Sequence, residues 1–202
     1  VIGCYTLWGV FPLYFRLLSA AGSVEIIGHR IVWTLGTCLA LIAARRRWAS
    51  LARVCRTPRL LGALTVCGLL VSVNWLVYVY GVNTARTADA ALGYFINPLV
   101  TVALASLVLR ERLRPVHRVS IVLASAAVAL LVVLQGSLPW ISLALAFSFA
   151  LYGLVKKRIG PDVDALTGLT VESAVVAPAA LAYLGHMAWQ GQSAWQAPGQ
   201  GW

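Results

Sequence analysis

The sequence predicts an all-α polytopic membrane protein, and three observations predict it. Of 202 residues, 60% are hydrophobic and 11% charged, less than half the charged share of roughly 25% that solvates an ordinary soluble domain. The apolar residues fall in runs near the length of about 20 that carries a helix across a bilayer. The 16 Lys and Arg stand in short clusters between those runs, as in a chain that crosses a membrane several times. A soluble domain of this composition would be coated in apolar side chains, so a soluble enzyme, a soluble nucleic-acid binder and a disordered tail are poor readings.

Seven transmembrane helices are visible in order. The first covers residues 1–21, interrupted by Pro12 and Arg16. The second, 24–44, carries Glu25, His29 and Arg30 near its start, and the third, 60–80, has no charge. A turn containing Asn83, Thr84 and Arg86 leads to the fourth, 88–109. The uncharged stretch 119–155 is too long for one span. Gln135, Gly136, Ser137 and Pro139 divide it into 119–134 and 140–155. The seventh, 166–185, contains Glu172, and a Gly/Gln/Trp-rich loop follows it. Val1 already lies in an apolar stretch with no basic region of a signal peptide before it, so the true start is expected to be missing. Cys4, Cys38, Cys55 and Cys67 show no CxxC pairing.

The basic residues orient the spans. The segment after span two holds Arg45, Arg46, Arg47, Arg53, Arg56 and Arg59. After span four come Arg110, Arg112, Arg114 and Arg118, and span six ends on Lys156, Lys157 and Arg158. The alternate loops hold only Arg86. Thirteen basic residues on one side against one on the other place the thirteen, and the N-terminus, in the cytoplasm. Topology and anionic headgroups account for the clusters without a nucleic-acid partner.

A weak internal similarity links Leu7-Trp8-Gly9 in span one to Leu151-Tyr152-Gly153 in span six. About 20 residues after each glycine comes a charge buried near the start of the next helix, Arg30 and Glu172 respectively. A repeat of five spans enters the membrane the second time in inverted orientation. At 1.5 Å per residue, Arg30 sits on the order of 6 Å to the outer side of its helix centre and Glu172 about 5 Å to the inner side, the exchange that inversion requires.

A charge near the bilayer centre costs roughly 2.5 to 3.5 kcal/mol, which makes His29, Arg30 and Glu172 functional candidates. Glu25, Asp89 and Arg16 lie nearer the surface, where interfacial roles suffice. Asn74 and Tyr78 share one helical face with Trp75 adjacent, and Tyr94 and Asn97 stand three apart before Pro98. Two readings fit these groups. Asn74 and Asn97 tie helices together, or a central cavity is lined by Trp8, Arg30, Asn74 and Trp75 with Tyr78, Tyr94 and Asn97. Such a cavity suits a small amphipathic ligand. There is no GxxxxGKS or GxxxxGKT loop, no GxSxG nucleophile and no HExxH helix. No cofactor, catalytic residue or metal site is therefore expected, and a non-enzyme is read.

The strings Asn74-Trp75-Leu76-Val77-Tyr78, Val82-Asn83 and Asp89-Ala90-Ala91-Leu92-Gly93-Tyr94-Phe95-Ile96-Asn97-Pro98-Leu99 resemble the EamA family of the drug/metabolite transporter superfamily, and within it the RarD-type permeases, the "chloramphenicol-sensitive protein" group. Similar too are Glu111-Arg112-Leu113, Gly136-Ser137-Leu138-Pro139-Trp140 and His29-Arg30-Ile31-Val32-Trp33. The resemblance implies ten helices in two inverted repeats of five, in the bacterial inner membrane. Residues 1–135 would be the first repeat and 140–202 the first two helices of the second, with about three final helices beyond.

The function so implied is a secondary transporter, a permease moving a small organic metabolite or drug-like solute by alternating access. Arg30 would attract an anionic or carbonyl group, with His29 beside it as a further substrate-binding residue. Asn74, Tyr94 and Asn97 would orient the solute, Trp8, Trp75 and Tyr78 would wall it, and Glu172 would couple or balance charge. The partners expected are the lipid bilayer, a small-molecule substrate and protons as coupling ion, with a homodimer admissible and no nucleic acid. The alternative from another class is a seven-helix membrane receptor or sensor.

Overall fold

The computed structural model describes residues 2–18, 21–109 and 139–191, with scattered positions between 116 and 133. Every regular element among the described residues is helical: α1 (Ile2–Leu17), α2 (Ser23–Ala44), α3 (Trp48–Arg56), α4 (Pro58–Asn83), α5 (Thr87–Leu109), α6 (Trp140–Ile159) and α7 (Ala165–Trp189). Five of these, α2, α4, α5, α6 and α7, are long and apolar enough to span a bilayer. The expected first span is shorter than read, 16 residues in α1 against the roughly 20 a crossing requires. The expected span 119–134 is described only at scattered positions, each of them helical. Among the described residues, five of the seven expected crossings are thus met by length and composition.

The boundaries follow local chemistry. Pro58 opens α4 where its missing N–H is not needed. Both α2 and α4 end in a Schellman turn. Arg47 N–H bonds the Ile42 carbonyl and Arg46 N–H that of Ala43, and Arg86 and Ala85 repeat the pattern on Gly81 and Val82. The left-handed position in each turn is taken by Arg46 (φ 52°) and Ala85 (φ 59°) rather than glycine.

α4 is the hub. It packs against every other helix, while α5 lies along α6 and α2 along α7. One buried cluster joins Phe15, Ile26, Trp75, Tyr78, Val82, Ile141 and Leu145. A second, nearer the basic ends, joins Val54, Leu60, Leu64, Ile159 and Val171. Two glycines set the closest approaches. A Cβ on Gly68 would stand 2.6 Å from the Glu172 carbonyl oxygen of α7, and one on Gly93 would stand 2.8 Å from the Ser142 carbonyl oxygen of α6. Association of helices in lipid relies on such small residues.

The segment between spans two and three, read in the sequence as a loop, is the nine-residue helix α3. Leu51 and Val54 turn inward to the second cluster, while Arg53, Cys55 and Arg56 stay exposed. The helix docks on the turn between α6 and α7. Asp164 caps α7 by accepting from Thr167 N–H (3.1 Å) and Thr167 Oγ1 (2.7 Å). It also accepts from Ser50 Oγ at 3.1 Å, and Arg47 stands 3.4 Å away. Arg53 donates to the Asp162 carbonyl at 3.1 Å. Partial burial alone would push the Asp164 carboxyl up, but the bonds from Thr167 and Ser50 and the charge of Arg47 outweigh it, holding the carboxyl below its usual range.

Two outcomes are expected. Gly68→Ala must push two backbones apart and should cost about 1 to 3 kcal/mol. Its melting temperature in detergent should fall, while that of Gly62→Ala, with nothing within 4 Å, should not. Asp164→Ala should cost about 1 kcal/mol at neutral pH. Because the folded carboxyl is lowered, this contribution is present above its unfolded value of about 3.9 and is lost as the pH falls through the folded value. Melts of the two proteins should therefore converge as the pH falls through that lowered folded value, and a gap of constant size across the acid range would contradict the charge interaction.

Candidate functional site

A cavity of ≈ 1030 Å³ opens between α1, α2 and α4 and reaches the first turn of α7. Its polar face comes from α2, whose Glu25, His29 and Arg30 lie within two turns of one another, and its wall from Phe11, Phe15 and Trp75. The Arg30 guanidinium carbon lies 3.5 Å from the centre of the Trp75 ring. That stacking, worth up to about 2 kcal/mol where water is scarce, holds the guanidinium against the ring at the cavity wall. Glu25 is buried in the same wall. A fixed cation over an aromatic floor is suited to a planar anionic or carbonyl group. A smaller groove of ≈ 480 Å³ between α5 and α6 is lined almost wholly by apolar groups, among them Ile96, Leu104 and Phe147.

The sequence-predicted residues divide between this cavity and the bundle interior. His29, Arg30 and Trp75 line it. Tyr78 and Tyr94 stand behind, with Trp75–Tyr78 ring centres 5.9 Å apart and Tyr78–Tyr94 5.8 Å, both edge-to-face. Asn74 turns the other way. Its amide donates to the Leu145 carbonyl (3.0 Å) and Ser148 Oγ (2.9 Å) of α6, which is the helix-tying reading of this residue. Asn97 accepts from Thr101 on its own helix at 3.2 Å. The Trp8 side chain lies outside the described residues.

Glu172 is separate from the cavity and has company that the sequence did not reveal. Only 2% exposed, it meets Lys156 Nζ at 2.6 Å and the Tyr152 hydroxyl at 3.5 Å, both from α6. Gly168 makes room for the ammonium, since a Cβ there would lie 3.0 Å from Nζ. In the sequence Lys156 counted as one of the cytoplasmic basic residues. The legible signal was depth. Glu172 lies seven residues, about 10 Å, into α7, and Lys156 lies three residues, about 5 Å, from the end of an antiparallel neighbour, within reach of a lysine side chain. Among the described residues no three His, Cys, Asp or Glu side chains gather where a metal ion could be held.

The aromatic rings join the two sites. From Tyr94 the series continues to Phe149 (6.5 Å) and Tyr152 (5.8 Å), so ring contacts run from the floor beneath Arg30 to the hydroxyl beside Glu172.

Comparison with known proteins agrees with a transport architecture. The chain is 44% identical over 199 residues to Protein RarD of Streptomyces exfoliatus, covering 98% of this chain and 62% of that protein. It is 39% identical over 190 residues to the uncharacterized transporter YojE of Bacillus subtilis, covering 91% and 63%. To the chloramphenicol-sensitive protein RarD of Pseudomonas aeruginosa it is 30% identical over 196 residues, covering 95% and 65%. The chain thus spans a little under two thirds of the length of these relatives. No solved structure matches it. Residues 1–133 match the EamA-like transporter family. Spanning helices, relatives called transporters and this match agree: the chain is an integral, multi-pass membrane protein and belongs to the EamA-like transporter family.

Proposed function

We propose that this chain is the larger part of a bacterial inner-membrane permease that moves a small organic metabolite or drug-like solute by alternating access. Residues 1–135 form one five-helix repeat, and the segment from 140 begins a second, inverted one. The observation that carries the reading is the stacking of Arg30 on Trp75 at the wall of an open ≈ 1030 Å³ cavity. Arg30 would receive an anionic or carbonyl oxygen, His29 would donate or accept beside it, and Trp75 would lie against the flat part of the solute. Tyr78 and Tyr94 hold Trp75 from behind. Glu172 serves as the coupling group, with protons as the coupling ion. The N-terminus is cytoplasmic, on the basic asymmetry of the loops.

The test is flux of a panel of radiolabelled metabolites and drugs in sealed vesicles of the full-length protein. Arg30→Ala should reduce flux per folded molecule about tenfold or more, the scale of one charged hydrogen bond, with little change in melting temperature. If Arg30 is instead one half of a structural pair with Glu25, Arg30→Ala and Glu25→Ala should lose stability equally, by about 3 to 5 kcal/mol. Flux per folded molecule would then be unchanged, and the binding assignment would fall.

Orientation has its own reporter in Cys55, exposed on α3. In intact cells it should resist a membrane-impermeant thiol reagent and should react once the membrane is opened. Labelling from outside would reverse the proposed topology.

A further inference from the structure

The ion pair between α6 and α7 has features that a helix tie does not need. Its cation is a lysine in the last turn of α6, with a side chain 29% exposed, so that its stem can carry the ammonium out to water. Its anion is almost fully buried. A third proton-bearing group, the Tyr152 hydroxyl, touches the carboxylate and ends the series of rings that begins beneath Arg30.

The groups that face Glu172 can be named helix by helix. α6 presents Lys156 and Tyr152, and α4 presents Cys67, fully buried beside the pair. α2 places Cys38 against Thr170. α3 meets α7 further out, where Arg47 and Ser50 face Asp164. Within this set Lys156 is the cation that balances Glu172.

We propose that Glu172 is a proton-loading site whose built-in counter-cation is Lys156. The reading rests on the transport function above and adds to it the group that the proton displaces. One proton from the cytoplasmic side adds to the Glu172 carboxylate to give the neutral acid, and Lys156 keeps its own proton. The pair, neutral before, now carries one positive charge, which a low-dielectric interior disfavours. The ammonium therefore leaves for the cytoplasmic water, the link between α6 and α7 opens, and Cys67 loses its cover. Release of the proton draws the lysine back and closes the link. Lysine suits this exchange better than arginine, because its charge sits on a compact head at the end of a flexible stem and is not held by a bidentate fork. Tyr152, in contact with the carboxylate, is placed to pass the change along the rings to Trp75 and the cavity, through side chains already in contact.

Cys67 is the reporter. In detergent-solubilised full-length protein with Cys67 as its remaining cysteine, the rate of maleimide labelling near pH 7 should rise about tenfold in Glu172→Gln, which mimics the protonated acid and strands the lysine. Adding Lys156→Met to Glu172→Gln removes the charge that seeks water and should restore protection. In the unaltered pair, the labelling rate relative to that of the unfolded protein at the same pH should rise as the pH falls. That series also decides the matter if Glu172→Gln does not fold. Equal Cys67 rates with and without Glu172→Gln, or a flat pH series, would overturn the proposal. So would fast labelling that persists in the double variant, since it marks general loosening. None of these measurements needs a transported solute, so their failure strikes the proton step, whereas loss of the cavity reading shows only in flux.

Discussion

Gly68 has no side chain, and so the backbone of α4 comes close enough to α7 for a Cβ there to stand 2.6 Å from the Glu172 carbonyl. In lipid there is little hydrophobic gain from bringing two helices together, and association depends on dispersion and on polar contacts that close approach allows. Once α4 is seated on α7 at this depth, Cys67 is placed beside the Lys156–Glu172 pair. About two turns further along the same helix, Asn74 comes within hydrogen-bond reach of α6. Gly93 plays the same part between α5 and α6. The arrangement of rings and charges follows from these two contacts.

Four charged contacts within and beside the bundle sit at distinct levels. At one end Arg86 holds Asp89 at 2.8 Å. Deeper, Arg30 rests on Trp75. Towards the other end Lys156 meets Glu172, and at the surface Arg47 faces Asp164. An unaccompanied charge in the membrane is costly, and placement by pairs or on an aromatic face lowers that cost without filling the cavity.

Hydropathy and charge alone located α2, α4, α5, α6 and α7 to within a few residues, because a crossing helix announces itself by length and composition. The ends were less legible. α4 and α7 run past the read spans, to 26 and 25 residues, since Schellman turns and an Asp cap extend a helix into polar sequence that hydropathy discards. α3 was missed for the opposite reason. Nine residues with six arginines in and around them look like a loop, and only the spacing of Trp48, Leu51 and Val54 marks an apolar face. At the cavity, residue type and depth identified His29, Arg30 and Trp75. They could not say which way Asn74 turns, because both faces of α4 are covered by helices. Lys156 was legible as a charge and not as a partner, because its counter-ion lies on another helix.

Arg47 and Asp164 stand 117 positions apart in the chain. At the usual rate of synthesis, the acid follows the arginine out of the ribosome by about 6 to 23 s. On the proposed topology the arginines around α3 would then act uncompensated as a topogenic signal while α2 and α4 thread the bilayer. Only after α6 is in place does the α6–α7 turn arrive to take up part of that charge. On that topology the same guanidinium would act first on the path of the nascent chain and later as a docking point of the finished protein.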